Sequence, residues 1–251
     1  MEKTKHLAVT SEDVGRYVLL PGDPGRCEKI AEFFTDPVEV AFNREYRTIT
    51  GTLLGEKVSV VSTGIGNPSA AIAIEELHKL GTDTFIRVGT SGGMQPYLTP
   101  GDLAIVKASV RDEGTTRHYM PVEFPAVADV DMVQSLKQAA QNLGFPAHVG
   151  ISHCKDSFYG QMAPERMPVA DDLQQRWQAW VRGGVMCAEM ESATLFTLGA
   201  IYRLRTGSIV LIAVNQERPE LGISDDVQPL IATAVEAMKM TIREDHKKGI
   251  F

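Results

Sequence analysis

Four short segments carry residue types that hold anions or hydroxyl groups. The first is Leu19-Leu20-Pro21-Gly22-Asp23-Pro24-Gly25-Arg26, where an apolar run breaks into two Pro/Gly turns and then enters a helical pattern. Glycine lets the backbone approach an anion closely, and the unpaired N–H groups and dipole of a helix start favour negative charge. Arg26, in the first helical turn, can fork onto the same anion. A plain strand-to-helix turn with a solvated arginine is the competing account, and the segment alone does not separate the two.

The second segment is Val60-Val61-Ser62-Thr63-Gly64-Ile65-Gly66-Asn67-Pro68-Ser69. It suggests a dinucleotide fingerprint, but Ser69 stands where the third glycine of G-x-G-x-x-G belongs, so a nicotinamide cofactor is rejected. Close packing of a helix on a sheet accounts for part of this motif. The third segment is Phe85-Ile86-Arg87-Val88-Gly89-Thr90-Ser91-Gly92-Gly93, with an arginine inside an apolar strand. A buried guanidinium is costly unless it meets a carboxylate or an anionic ligand, so Arg87 is either a structural ion-pair partner or an anion binder. Thr90 and the following glycines place hydroxyl and backbone donors beside it. The fourth, Cys187-Ala188-Glu189-Met190-Glu191-Ser192-Ala193, reads as the opening of an amphipathic helix. One of its carboxylates can simply complement the helix dipole. Two at i, i+2 ask for more, and a carboxylate is a natural acceptor for a pair of sugar hydroxyls.

These segments need strands and helices to position them. Short β-branched runs at residues 17–20, 58–62, 85–88, 103–106, 148–152 and 208–214 read as strands. Residues 25–34, 68–80, 131–143, 191–204 and 226–247 read as helices. The alternation predicts an α/β fold, a single domain over residues 1–251, with a mixed, mostly parallel central sheet flanked by helices on both faces. Ligands in such folds bind at the carboxyl ends of the strands, where the four segments lie. Residues 112–125 and 159–172 read as loops, and no repeat or flexible linker divides the chain.

A formal charge of −7 with dispersed basic residues argues against nucleic acid or an anionic membrane as the main partner. Cys27, Cys154 and Cys187 are odd in number and widely spaced, which fits neither a disulfide framework nor a zinc site. A reducing, cytoplasmic setting is expected. The polar start of the chain lacks a signal-peptide pattern, and the apolar run at 209–214 is far short of the roughly 20 residues that span a bilayer.

Taken together, Gly22-Asp23-Pro24, the run from Ser62 through Ile72 with Glu75-Glu76-Leu77, and Glu189-Met190-Glu191-Ser192-Ala193 resemble the nucleoside phosphorylase-I family over nearly the whole chain. Ala108-Ser109-Val110-Arg111, the segment from Glu123 to Asp129, and Ser157-Phe158-Tyr159 are similar to the branch that acts on uridine. The resemblance implies phosphate held by Gly22, Arg26, Arg87 and Thr90, with Arg44 reaching in from a neighbouring subunit. It implies ribose bound by Glu191 and the Met190 backbone, with Glu189 nearby and His6 entering from the partner. Phe158 would stack on the nucleoside and Gln161 would read the pyrimidine edge. Arg26, Arg87 and Glu191 would be the catalytic set, with phosphate as co-substrate and no required cofactor. Glu45, Ile65 and Ser69 match positions that bind a monovalent cation such as K+ between subunits, and the implied assembly is a hexamer built as three dimers.

Two departures stand out. Gln216 follows Asn215 where the family pattern has arginine, and Arg166 lies farther from Gln161 than in that pattern. Lys155, Arg166 and Arg218 are the candidates for the missing positive charge. Purine-cleaving relatives place aspartate at the position of Asn215, and an asparagine cannot act as a general acid, which favours a pyrimidine. A purine nucleoside phosphorylase, a nucleoside hydrolase of the same fold and a silent nucleoside-binding module are the alternatives.

Overall fold

The apolar runs expected to be strands all form strands, and alternate residues along them feed two different cores. A computed structural model describes residues 2–250. In chain order it contains β1 (Tyr17–Pro21), α1 (Pro24–Ala31), β2 (Thr35–Asn43), β3 (Tyr46–Leu53), β4 (Glu56–Val61), α2 (Asn67–Lys79), β5 (Thr84–Gly93) and β6 (Leu103–Asp112). There follow β7 (Ala126–Val127), α3 (Val130–Leu143), β8 (Ala147–Lys155), α4 (Phe158–Met162), α5 (Ala170–Arg182), β9 (Cys187–Glu189), α6 (Ser192–Tyr202), β10 (Arg205–Asn215) and α7 (Gln228–Lys248).

Side chains on a strand point alternately to opposite faces. Val18, Leu20 and Phe85 therefore join a cluster with Ile74 and Leu77 of α2 and Leu195 and Phe196 of α6. Tyr17, Leu19, Ile86 and Val88 join a second cluster with Ile30 of α1, Leu136 of α3 and Ile231 and Met238 of α7. Helices thus cover both faces of one mixed sheet, as the alternation of elements predicted.

Parallel pairing joins β4, β1, β5 and β10, and separately β6, β8 and β9. Antiparallel pairs β10–β6 and β5–β9 link the two sets, so β5, β10, β6, β8 and β9 close into a ring. Register shifts between Ile212 and Val214 and between Val106 and Ala108 supply the local bends that closure needs. The ring gathers the carboxyl ends of β5, β8, β9 and β10 around one space.

Three expectations are corrected. Residues 35–53, which carried no strand in the sequence reading, form the antiparallel hairpin β2–β3; β2 is an edge strand, where Pro37 is tolerated because one row of N–H groups needs no partner. The stretch from Ala170 onward is helix α5, not the end of a loop. Residues 187–189 form strand β9, so the helix begins only at Ser192, and that helix is not amphipathic: every residue from Ser192 to Gly199 is buried. A helix hidden on all sides has no polar face for periodicity to reveal.

Candidate active site

Arg87 lies mid-strand in β5, paired with Leu20 on one side and Ser208 on the other, and is 5% exposed. Its side chain turns along the strand over Gly89, two residues on and on the same face. A Cβ at Gly89 would sit 2.7 Å from the guanidinium carbon, so the absence of a side chain there makes room for this bend. Nε of Arg87 reaches Glu189 Oε2 at 3.2 Å and Nη2 reaches Glu191 Oε2 at 2.5 Å.

The two carboxylates do different work. Glu189 Oε2 accepts the backbone N–H groups of Glu191 and Ser192, each at 2.9 Å, and its Oε1 accepts the Ser152 hydroxyl at 3.1 Å. It therefore completes the open amino end of α6, the dipole-complementing role that one carboxylate was expected to play. Glu191 Oε1 accepts the Gly66 N–H at 2.6 Å. Gly66 precedes α2 with φ of 103°, a conformation that glycine adopts freely. One arginine thereby joins the starts of two helices.

Burial alone would push the Glu189 carboxyl up, but Arg87 and the N–H groups of Glu191 and Ser192 outweigh it and hold it below the usual carboxylate value. For Glu191 burial wins over the pull of Arg87, helped by the negative charge of Glu189, and its carboxyl is pushed up. Arg26, in the first turn of α1, donates from Nη1 to the Val88 carbonyl at 2.9 Å. Burial and the positive charge of Arg87 both work against its charged form. Two guanidinium groups brought together this way are complementary to an anion.

These groups line a cleft of about 700 Å³ together with Gly22, Thr90, Met190, Phe158 and Gln161. Nine of the residues singled out from the sequence for phosphate or nucleoside are thus brought together, Gly22, Arg26, Arg87, Thr90, Phe158, Gln161, Glu189, Met190 and Glu191, along with Ile65 from the cation set. Others are not. Arg44 is exposed at the tip of the β2–β3 hairpin with φ of 58°, and it does not line this cleft. His6 is held on Glu76, Nδ1 to Oε1 at 2.7 Å. Glu45 and Ser69 flank Gly64, where a Cβ would lie 2.8 Å from Glu45 Cγ and 3.6 Å from Ser69 Oγ. Arg166 is exposed on the short turn Pro164–Arg166 and lies outside the cleft lining.

The base end of the cleft separates the candidates for positive charge. Arg218 is engaged by Glu220 and the Pro96 carbonyl. Lys155, at the end of β8, lines the cleft and is 8% exposed. Its ammonium forms no hydrogen bond or ion pair among the described residues. Burial holds its ammonium below the usual lysine value, with Glu189 pulling the other way. Gln216 also lines the cleft and accepts a hydrogen bond from Gln161 Nε2. Asn215 plays a part that its sequence context did not suggest. Its Nδ2 donates to the carbonyls of Gln95 and Leu98, and its Oδ1 accepts the N–H groups of Glu217 and Arg218. An asparagine so fully used shapes the loop and has nothing left for a base.

Two guanidinium groups, a hydroxyl and a pair of buried carboxylates gathered in one cleft suit an oxyanion held beside a hydroxyl-bearing ligand. The pattern of the Phosphorylase superfamily matches residues 16–244, and the chain belongs to that superfamily. It is similar to the uridine phosphorylase of Treponema pallidum (strain Nichols), with 50% identity over 96% of this chain and 95% of that protein. To the uridine phosphorylase of Thermococcus kodakarensis (strain ATCC BAA-918 / JCM 12380 / KOD1) it is 46% identical over 97% of this chain and 88% of the relative. A guanosine phosphorylase from Halorubrum lacusprofundi (strain ATCC 49239 / DSM 5036 / JCM 8891 / ACAM 34) is 38% identical over 91% of each chain.

Proposed function

We propose that the protein cleaves uridine with inorganic phosphate, giving uracil and ribose 1-phosphate in pyrimidine nucleoside catabolism and salvage. The observation that carries this reading is the joint presence of Arg26, Arg87 and Thr90 with Glu191 and Met190 in one cleft. Arg87 spends Nε and Nη2 on its carboxylates, which leaves the Nη1 donors for a phosphate oxygen. A phosphate oxygen forms a bond to the anomeric carbon as the bond from that carbon to uracil N1 breaks. The electron pair leaves with the base, and water supplies the proton that makes neutral uracil. Glu191 accepts ribose hydroxyls, and the arginines hold the nucleophile in line, which removes much of the entropic barrier. Phe158, 53% exposed, stacks on the nucleoside.

The positive charge at the base end belongs, in this reading, to Lys155. Its ammonium faces the same space as Gln161 and Gln216, and a cation there stabilises the oxygen on which the departing uracil anion carries its charge. Arg166 and Arg218 lie outside the cleft lining.

The active unit is at least a dimer, and the family pattern suggests a hexamer of three dimers. The exposed Arg44 sits beside Phe42 and Val38 on an edge strand, 54% and 60% exposed, an apolar surface suited to a second copy. Arg44 and His6 then serve the partner's cleft, which requires His6 to leave Glu76 or to act through it. Glu45, the Ile65 carbonyl and Ser69 supply oxygen donors that suit a monovalent cation such as K+. The three free cysteines are all buried, in keeping with a cytoplasmic setting, and no described helix is long and apolar enough to cross a membrane.

Incubation of the purified protein with uridine, with and without phosphate, tests the reading directly. Uracil release only when phosphate is present is the expected result. Release independent of phosphate would mean hydrolysis, and base release from inosine with none from uridine would overturn the assignment.

A further inference from the structure

A second cavity of about 680 Å³ adjoins the cleft. Lys155, Gln161 and Gln216 line both spaces, and the hydrogen bond from Gln161 Nε2 to Gln216 Oε1 stands at the boundary between them. The lining also includes Gln174, Arg176 and Gln178 of α5, which are exposed. The cavity therefore reaches solvent, and neither Arg26 nor Arg87 lines it.

Buried polar atoms in folded proteins are nearly always paired. Among the described residues, the buried side-chain atoms that lack a partner include His153 Nδ1, Gln161 Oε1 and Trp180 Nε1, and all three residues line this one cavity. His153 is 6% exposed, and its Nε2 bonds the Asp112 carboxylate at 2.8 Å. A carboxylate accepts, so Nε2 carries the hydrogen and Nδ1 of the neutral ring is left as an acceptor. Gln161 Oε1 is a second acceptor, and Trp180 Nε1–H is a donor. Charges in the lining offset one another: Asp112 is bound by His153 and Arg176, and Asp156 and Lys155 are of opposite sign. Balanced charge selects against a strongly ionic ligand, and the indoles of Trp177 and Trp180 favour a flat ring.

Two acceptors and one donor call for a ligand edge with two donors and one acceptor. Free uracil has that edge in N1–H, the C2 carbonyl and N3–H. Uridine does not, because its ribose replaces the hydrogen on N1. We propose that the second cavity is a binding site for the released base, which distinguishes uracil from uridine by the N1–H that phosphorolysis creates. The proposal rests on the phosphorolysis reading above. Uracil passes from the cleft as Gln161 and Gln216 part, and rotation of the Gln161 amide and of the two rings brings their screened atoms onto it. Its N–H groups donate to Gln161 Oε1 and His153 Nδ1, and its C2 carbonyl accepts from Trp180 Nε1–H. From there the base leaves past α5, away from the phosphate and ribose groups of the cleft.

Equilibrium dialysis with labelled uracil in phosphate-free buffer, with and without saturating uridine, tests the site. Uridine fills the cleft and is not turned over without phosphate, so uracil still bound at one per chain in its presence is the expected result. 1-Methyluracil and 3-methyluracil, each short of one N–H, should bind there about tenfold more weakly or worse, since a site built to pair a donor rejects the analogue lacking it. Trp180→Phe keeps a ring and removes the donor, and should weaken uracil about tenfold. No uracil bound beside uridine, equal affinity for uracil and 1-methyluracil, or unchanged affinity in Trp180→Phe would each overturn the proposal. The methyluracil comparison needs no variant and stands if Trp180→Phe fails to fold. Phosphate-dependent uracil release is measured on the same preparation: its absence overturns the phosphorolysis reading and this one with it, whereas its presence with no second uracil overturns this proposal alone.

Discussion

Arg87, Glu189 and Glu191 satisfy one another and the starts of two helices in one part of the cleft, whereas in another part the Lys155 ammonium has no hydrogen-bond or ion-pair partner among the described residues and Gln161 Oε1 is buried without one. The first set is carried by β5, by β9 and by the residue that precedes α6. The second joins Lys155, at the end of the ring strand β8, to Gln161 on the five-residue helix α4 outside the ring. The difference separates two tasks. Binding a phosphate and a ribose in one fixed relation asks for groups that need no rearrangement, so their geometry is held by bonds already made. Reading a base asks for unspent hydrogen-bonding capacity, and that capacity shows in the free protein as unpaired atoms.

The comparison can be broken most severely at Glu189. Glu189→Gln leaves the buried Arg87 short of a charge partner, and the expected loss is about 3–5 kcal/mol of folding stability, measured by the denaturant midpoint. A loss below about 1 kcal/mol would show that the end of the cleft we describe as self-satisfied is not held by this pair. The same variant carries a pH signature. In the wild type the folded-state Glu189 carboxyl is held low, so its contribution is complete above the unfolded glutamate value of about 4.3 and is lost as pH falls through the folded value. Glu191, pushed up by burial, acts in the opposite sense and opposes folding as pH rises through its own folded value. The stability gap between wild type and Glu189→Gln should therefore be widest near neutrality and shrink on acidification.

Next in size is Arg26→Ala. Among the described residues its side chain makes one hydrogen bond, to the Val88 carbonyl, so the fold should survive. Phosphate-dependent turnover should fall by about 10²–10³, the scale of removing one donor from a developing charge. Unchanged turnover would exclude Arg26 from the phosphate site.

At the base end the expected effect is smaller and depends on the leaving group. Lys155→Met should lower kcat on uridine by about 10- to 100-fold, in the range of a single positioned group. 5-Fluorouridine, whose more acidic base needs less help to depart, should lose less. Equal losses on the two substrates would make Lys155 a packing residue.

Much of the cleft around Arg26 and Arg87 is legible in the sequence. A strand that breaks at Pro21-Gly22, a helix that opens at Arg26 and an arginine inside the apolar run 85–88 are local patterns, and the structure brings them to one cleft as expected. The hairpin β2–β3 escaped because an edge strand with Pro37 lacks clean alternation. Helix α5 is masked in the sequence although Leu173, Trp177, Trp180 and Val181 recur at helical spacing, because the aromatic and proline-bearing stretch before it carries loop chemistry into its first turn. Glu189 belongs to β9 and not to the helix opening that the sequence predicts there, since a three-residue strand buried beside a fully buried helix carries no periodic signal, while Glu191 caps α6 within one residue of the predicted start.

The amino-acid sequence by itself determined the six apolar strands it marks, the Pro/Gly turn before α1 and the presence of the carboxylate pair, because turn chemistry and strand alternation act over a few residues. Tertiary structure alone decided that Lys155 and Gln216 face the cleft while Arg166 does not, that Asn215 is consumed by its own loop, and that three unpaired polar atoms share one cavity. Those outcomes depend on closure of the ring and on contacts between residues far apart in the chain, where burial and hydrogen-bond competition, rather than residue type, assign each side chain its role.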